Sequence, residues 1–217
     1  MKLGKLQTLL ETIYSVDVAL AVDDFLITDA ALANKLDRSS NPRACEEKLL
    51  VSQDGEELGL SLFIDECVLS RLRQDNPWDR LGDDNLNDFL TALEGVSHFV
   101  YLVHRANHNR DVTLLELELQ AEVDKFVSVH AVAKGQGAAA APRFLIKRLF
   151  ESQAYDQQLS ATEHERYVSA NKLAGRYCSH LESRFLSARS SFAFYSELRR
   201  FYEMSQADKL RHIAQAG

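Results

Sequence analysis

Glutamate and histidine residues with the chemistry of metal ligands or proton-transfer groups are concentrated between positions 94 and 122. Glu94 and His98 are four residues apart, and Glu118 and Glu122 repeat that spacing further along the chain. Side chains at this spacing stack on one face of a helix. Carboxylates and imidazoles on facing helices bind metal ions in helical bundles, and they also act as general acids and bases. The candidate catalytic residues are therefore Glu94, His98 and Glu122, and the candidate metal ligands are Glu94, His98, His104, Glu118 and Glu122.

The spacing of these residues departs from the commonest metal motifs. Di-iron bundles place glutamate and histidine three residues apart in a repeated Glu-x-x-His pattern, whereas Glu94 and His98 are four apart and the pair occurs once. No HExxH sequence is present, and the pair His104 and His108 encloses no suitable glutamate. A structural role is the alternative. In that case His98 bonds Glu122, and the remaining polar groups satisfy one another at the edge of a helical hairpin.

Two antiparallel helices are expected to position these side chains. Apolar residues recur at helical spacing over residues 86–107 and again over residues 113–133. The connection between the two segments is short, which makes the helices neighbours. Glu122 falls on the apolar face of the second helix, where an unpaired carboxylate is costly. We expect it to be buried and within hydrogen-bond reach of His98 or His104.

A second group of polar residues lies on a predicted helix that begins near Ser160. The candidate binding residues on this helix are Arg166, Tyr167, Asn171 and Arg176. Arginine offers paired donors that suit a phosphate or a carboxylate. The alternative is a solvated helix face that bonds to the acidic N-terminal half of the chain.

The N-terminal part is predicted to contain a small sheet. A helix ends near Ser15, and a strand is expected over residues 18–28. A hairpin should then pair Leu49–Gln53 with Glu57–Ile64, because the Asp54-Gly55 sequence between them supplies the positive φ angles of a tight turn.

The remainder of the chain has a helical pattern, beginning with a short helix from about Glu66 to Gln74. Three capping boxes are predicted further on: Thr113 with Glu116, Ser160 with Glu163, and Ser205 with Asp208. The expected fold class is α+β, with a small N-terminal antiparallel sheet of about three strands packed against a predominantly helical C-terminal bundle. Residues 1–80 would form the α+β unit and residues 81–217 the bundle, with a loop or hinge near 134–142, unless the two form one continuous domain.

The net charge of −7 is distributed unevenly. Residues 1–133 hold 12 Lys and Arg against 24 Asp and Glu, a net of −12, while residues 134–217 hold 13 against 8, a net of +5. One explanation is that the basic part docks on the acidic part; the other is that it binds an anionic partner. In the second case four arginines should share one exposed surface: Arg166, Arg176, Arg199 and Arg200.

Composition and cysteine usage favour an intracellular globular protein. Of 217 residues, 46% are hydrophobic and 26% are charged, the balance of a folded chain. The cysteines, Cys45, Cys67 and Cys178, form no CxxC pair, which argues against a thiolate zinc site and a disulfide framework. The N-terminus lacks the apolar core of a signal peptide, and no apolar run approaches the ~20 residues of a spanning helix. We expect a cytoplasmic protein without membrane association.

These observations favour a cytoplasmic binding or accessory protein that recognises another macromolecule and has neither a cofactor nor chemistry of its own. A protein is the expected partner, and nucleic acid is a second candidate through the basic C-terminal part. The alternative function is a metal-dependent enzyme that uses a divalent metal and the Glu/His cluster on two antiparallel helices. No motif in the chain names a reaction, so the sequence leaves open whether the protein is an enzyme.

Overall fold

The computed structural model describes residues 2–37, 45–54, 57–137, 145–151, 159–186 and 191–215. It confirms the predicted α+β class, with a three-stranded sheet and eight α-helices among these residues. The strands are β1 (Leu26–Ile27), β2 (Glu47–Asp54) and β3 (Glu57–Ile64). The helices are α1 (Gly4–Tyr14), α2 (Ala30–Leu36), α3 (Glu66–Gln74), α4 (Leu86–Asn107), α5 (Leu114–Gly135), α6 (Ala161–Leu181), α7 (Ser191–Glu203) and α8 (Gln206–Gln215).

The sheet is mixed, with its strands in the order β1-β3-β2. The predicted hairpin is confirmed, since β2 and β3 pair antiparallel from Glu47 opposite Ile64 to Asp54 opposite Glu57. Gly55, in the predicted turn, lies outside the described residues. β1 pairs parallel to β3, so the expectation of an antiparallel sheet holds for the hairpin only. Parallel strands need a crossover connection, which the segment containing α2 and β2 supplies.

The strand predicted over residues 18–28 is wrong over most of its length. Val22–Phe25 forms a 3-10 turn, and only Leu26–Ile27 pairs with β3. The cause is a tertiary contact of Asp23, whose carboxylate accepts hydrogen bonds from the backbone amides of Leu3 and Gly4 at 2.9 and 3.1 Å. These amides at the start of α1 need acceptors from outside the helix, and meeting that need fixes the segment against α1.

Helices α4 and α5 form the predicted antiparallel hairpin. Ser97 of α4 bonds Asp124 of α5, whereas Tyr101 further along α4 bonds Glu116 earlier in α5. Helix α5 is buried on nearly all sides, because α4 and α6 both pack against it and α1 contacts it as well. Its charged side chains therefore need partners from the surrounding elements.

The C-terminal helices share one hydrophobic core with the N-terminal part. α6 packs on α5, α7 packs on α1, and α8 packs on α6. The buried cluster includes Leu3 of α1, Leu62 of β3 and Ile213 of α8. The boundary near residue 80 stays a prediction, and residues 138–144, which hold most of the predicted hinge, lie outside the described residues. Within the described ranges, no helix is long and apolar enough to cross a lipid bilayer.

One of the predicted capping boxes is complete. The Ser160 side chain accepts from the Glu163 amide while the Glu163 carboxylate accepts from the Ser160 amide. Thr113 caps α5 by accepting from the Glu116 amide at 3.1 Å. The Glu116 carboxylate, however, turns inward and accepts a hydrogen bond from Tyr101 at 2.6 Å. The Glu116 side chain, which the local pattern predicts to cap the helix, therefore makes a tertiary contact instead.

Candidate metal centre

His98 lies on α4 inside a buried group of acidic residues and is 8% exposed. Its Nδ1 is 3.6 Å from Oε1 of Glu47, and its Nε2 is 3.5 Å from Oε2 of Glu118. Ion pairs occur at these distances, but they are too long for good hydrogen bonds. Accordingly, His98 Nε2 and Glu47 Oε1 are both buried without a hydrogen-bond partner among the described residues. The imidazole lies between two carboxylates and forms a good hydrogen bond with neither.

Glu94 completes a set of three groups that can bind a metal ion. One ligand atom each from Glu94, His98 and Glu118 lies within 4.8 Å of the other two. Metal–oxygen and metal–nitrogen distances of ~2.0–2.2 Å place neighbouring ligand atoms roughly 3–4 Å apart, so small side-chain rotations are enough to close the set around one cation. A mixed carboxylate and imidazole set suits Mn²⁺, Fe²⁺ or Zn²⁺.

Glu47 was not among the predicted site residues, because it comes from a strand far from the helices in sequence. Its approach to α4 depends on Gly95, where a Cβ atom would lie 2.8 Å from both Glu47 Cγ and Leu62 Cδ1. The hairpin can sit this close only where the helix has no side chain. A glycine inside a strong helix pattern indicates a close contact, but it does not say which residue makes that contact.

Glu122 is buried as predicted, with 8% exposed, but the prediction that it bonds a histidine is wrong. Its Oε1 accepts from Lys125 Nζ at 2.7 Å, and its Oε2 accepts from the Asn171 amide at 3.4 Å. Lys125 Nζ also lies 2.8 Å from Oε2 of Glu94. The reason is local, since residues three apart on a helix are neighbours and Lys125 reaches Glu122 directly. Glu118 takes the place beside His98 instead.

His104, a further candidate ligand, is not brought to this cluster. Its Nε2 lies 2.9 Å from Oε1 of Glu203, and its ring packs against Tyr202 with 5.3 Å between centroids. Burial lowers the pKa of His104, although Glu203 acts in the opposite direction. The structure gives this histidine a packing role between α4 and the end of α7.

The predicted binding residues separate into an inner and an outer group. Arg166 Nε is 3.8 Å from Oε1 of Glu118, and its guanidinium stacks over the Tyr167 ring at 5.5 Å. Asn171 is only 4% exposed. Arg176 is exposed and lines a surface groove. Arg166 and Asn171 therefore serve the buried acidic cluster, and Arg176 faces outward.

The four arginines predicted to share one surface for an anionic partner differ in their contacts. Arg166 lies near Glu118, which belongs to the acidic part of the chain. Arg200 pairs with Glu197 at 2.7 Å, and Arg199 Nε donates to the Ile13 carbonyl at 3.2 Å. The contacts of Arg166 and Arg199 favour docking on residues 1–133, whereas Arg200 pairs within the basic part and Arg176 is exposed.

Negative charge predominates around His98. The carboxylates of Glu47, Glu94 and Glu118 surround it, and the cations that contact them in the described chain are Lys125 and Arg166. Burial lowers the pKa of His98, but Glu118 and Glu47 outweigh that effect and hold the pKa well above its usual value. Burial also raises the pKa of Glu47. The cluster requires a positive charge at its centre, which a proton on His98 or a divalent cation can supply.

A second polar network lies on another side of α5. Gln120 donates to Asp124 at 2.8 Å, and Lys209 of α8 donates to Gln120 and to Tyr101, both at 2.8 Å. Asp124 also accepts from Ser97 at 2.6 Å and from Tyr14. Burial raises the pKa of Asp124 to about 6 and lowers that of Lys209 to about 7.

A lysine with a pKa near neutrality has the chemistry of a nucleophile. Lys209, however, is 0% exposed, and its Nζ sits 4.3 Å from the centre of the Tyr101 ring and 5.1 Å from that of Phe201. No substrate can reach it without unpacking the bundle. We assign this network to the structural core.

No protein-family model matches this chain, and no curated protein and no solved structure matches it either. The function of the chain is therefore inferred from the geometry of the site.

Lys125 is the cation shared by buried Glu122 and half-buried Glu94, so its removal should cost more stability than removal of the Glu122 charge. We expect Lys125→Met to lower the free energy of unfolding by ~3–5 kcal/mol, because it leaves these two carboxylates facing each other without Lys125 between them. Glu122→Gln should cost less, since Lys125 keeps Glu94 and an amide can still accept a hydrogen bond. Urea denaturation of both variants checks the order. Equal losses would show that charge pairing does not govern this cluster.

Lys209 should give the protein a distinctive pH dependence. Its folded pKa of about 7 lies below the unfolded value of ~10.4. Between these values the unfolded chain binds more protons, so the penalty of burying the ammonium is full below pH 7 and is relieved as the pH rises. The stability of the wild type relative to Lys209→Met should rise from pH 7 to 9 by up to ~1.4 kcal/mol per unit. Exposed Lys172→Met is the matched control, and parallel profiles for wild type and Lys209→Met would contradict the assignment.

Proposed function

We propose that this chain is a metal-dependent protein that holds one divalent cation between α4 and α5. Glu94, His98 and Glu118 are its ligands, and Glu47 is the adjoining carboxylate. The observation that carries the proposal is the convergence of two carboxylates, Glu94 and Glu118, on a buried imidazole whose Nε2 has no hydrogen-bond partner among the described residues. This corresponds to the metal-dependent alternative predicted from the sequence, with Glu122 and His104 no longer among the ligands.

A purely structural ion-pair cluster accounts less well for the unsatisfied atoms. Buried polar groups are almost always hydrogen-bonded, and leaving one unmade costs free energy. His98 Nε2 and Glu47 Oε1 are both left in this state at the centre of the cluster. A cation at Nε2 gives that nitrogen a partner and leaves the Nδ1 proton facing Glu47 Oε1, and it also supplies the positive charge that the carboxylates require.

The surrounding residues suit the role of supporting such a centre. Lys125 holds Oε2 of Glu94 at 2.8 Å, which leaves the second carboxylate oxygen to act as ligand. Arg166 lies 3.8 Å from Oε1 of Glu118 while Oε2 faces His98. Groups that orient ligands in this way strongly influence metal affinity.

A centre with three protein ligands keeps positions for water or substrate. This is the usual difference between catalytic and structural metal sites. A cation in such a site lowers the pKa of a bound water and polarises an oxygen of the substrate. The proposed function is therefore that of a metal-dependent enzyme.

We also propose a cytoplasmic location. Cys67 is exposed and Cys178 is buried, and both carry free thiols. Free thiols persist in reducing compartments.

The metal proposal is tested on protein purified without an affinity tag. We expect stoichiometric Mn, Fe or Zn by elemental analysis, and saturable Mn²⁺ binding by calorimetry after removal of bound metal. His98→Gln and Glu118→Gln should each weaken Mn²⁺ binding at least about 100-fold, because even outer-shell partners are typically worth ~10–100-fold.

Matched controls are available on the same two helices. His104→Gln and Glu116→Gln also replace buried histidine and glutamate side chains, and they should leave the affinity for Mn²⁺ unchanged. Thermal unfolding of each variant confirms that it is folded. The proposal fails if the purified protein carries no metal and Mn²⁺ binds the His98 and Glu118 variants as it binds the wild type.

Recognition of a protein partner is the second candidate function, and an exposed apolar surface favours it. Leu36 of α2 and Val51 of β2 are 44% and 47% exposed. They line a shallow groove of about 190 Å³ together with Leu60 of β3. Exposed apolar side chains that cluster often mark interaction surfaces. A photo-crosslinking amino acid at position 36 should capture a discrete partner in cells, whereas one at exposed Leu114 should not; equal labelling at both positions would remove the support.

A further inference from the structure

A groove of about 620 Å³ lies along α6, separate from the residues proposed as metal ligands. One wall carries three basic side chains at four-residue intervals, namely Lys172, Arg176 and His180. The other wall includes the apolar side chains of Ile146 and Phe150. The volume is in the range of ~300–1,000 Å³ that small-molecule sites occupy.

The two strongest cations of this groove are not used by the fold. Lys172 and Arg176 are exposed, and neither forms an ion pair within the described residues. Like charges four residues apart on a helix repel and destabilise it slightly. Glu151 is the acidic residue among those that line the groove. By contrast, Arg166 on the same helix lies near Glu118. Helix α6 therefore carries one cation that contacts the fold and two, Lys172 and Arg176, that face the groove.

The apolar wall of the groove packs directly against the backbone of α6. A Cβ atom at Gly175 would lie 3.1 Å from Cβ and 3.2 Å from Cγ of Phe150, so the phenyl ring rests on the helix backbone. Phe150 belongs to a π-helical turn, Lys147–Glu151, and a second π-helical turn, Glu182–Leu186, contributes Ser183 to the same groove. π-Helical turns are rare and frequently occur at functional sites.

We propose that this groove binds a small amphipathic anion, either a carboxylate or a phosphate monoester that carries an apolar chain. Its anionic group lies between Lys172 and Arg176, where an ammonium and a paired-donor guanidinium recognise either acid. Its apolar part lies along Ile146 and Phe150. The inference goes beyond the metal centre and does not depend on it, because every group that it uses belongs to the groove.

The groove nevertheless shares one residue with the surroundings of the metal centre. Asn171 lines the groove and donates its amide to Glu122 and to the Leu149 carbonyl. Glu122 in turn bonds Lys125, which holds Glu94. Asn171 thus connects the groove, through Glu122 and Lys125, to the proposed ligand Glu94.

The test is calorimetric titration of the protein as purified with four probes: octanoate, octyl phosphate, octanol and inorganic phosphate. We expect at least one of the two octyl acids to bind at least about tenfold more tightly than octanol and inorganic phosphate. The stronger of the two acids identifies the acid class. Octanol that binds as tightly as both acids would overturn the proposal, because the anionic group would then contribute nothing to binding. Inorganic phosphate that binds as tightly as the octyl acids would also overturn it, because the apolar chain would then contribute nothing.

Variants then locate the binding. The double change Lys172→Gln and Arg176→Gln should weaken binding of the octyl acid at least about tenfold. Lys35→Gln with Arg211→Gln, also on exposed helix faces, is the matched control and should bind normally. Ser179→Trp places an indole in the groove from an exposed position and should block binding without unfolding the protein. Unchanged binding in the double variant and in Ser179→Trp overturns the assignment.

The outcome is separable from that of the metal proposal. Mn²⁺ affinity of the Lys172 and Arg176 double variant should equal that of the wild type, and octyl acid binding should survive His98→Gln. Either proposal can therefore be contradicted while the other is supported.

Discussion

The burial of α5 on nearly all its sides is the constraint on which the rest of the structure depends. A central helix is normally apolar all round, yet Glu116, Glu118, Gln120, Glu122, Asp124 and Lys125 are all buried in it. Each of these groups needs a partner, and α5 can supply few of them itself. Its neighbours must therefore present polar side chains at matching positions. This requirement fixes how α1, α4, α6, α8 and the hairpin are placed around it.

The polar residues of α5 form two stripes, and each stripe organises its own network. Glu116, Gln120 and Asp124 follow each other at intervals of four and meet Tyr101 and Lys209, among others. Glu118, Glu122 and Lys125 form the other stripe and meet α4, α6 and β2. Residues 116 and 118 are two apart, a rotation of ~200° on a helix. The two networks thus lie on opposite sides of α5 and have no need of a common partner.

The two networks differ in how well they are satisfied, and this difference separates their roles. Lys209 Nζ donates to Tyr101 and to Gln120 at 2.8 Å, both within ordinary hydrogen-bond length, and the group is sealed by Tyr101 and Phe201. Around His98 the contacts are longer and buried atoms are left without hydrogen bonds. A saturated polar core stabilises a unique packing, whereas unsatisfied groups that converge at one point are characteristic of a site that binds something. This contrast, rather than the acidity of either network, distinguishes the candidate centre.

The sequence by itself determined the elements whose signals are local: the hairpin of β2 and β3, the start of α6 at Ser160, and the pair of helices α4 and α5. It also placed Glu94, His98 and Glu118 among the candidates and required Glu122 to be buried, because periodicity records which face of a helix is apolar. Only the tertiary structure decided which groups meet. Glu47 of β2 reaches the site because Gly95 leaves space beside α4. Glu122 bonds Lys125, and His104 bonds Glu203. The physical reason is that a helical wheel gives the direction of a side chain, whereas the partner that fills that direction depends on packing between elements distant in sequence.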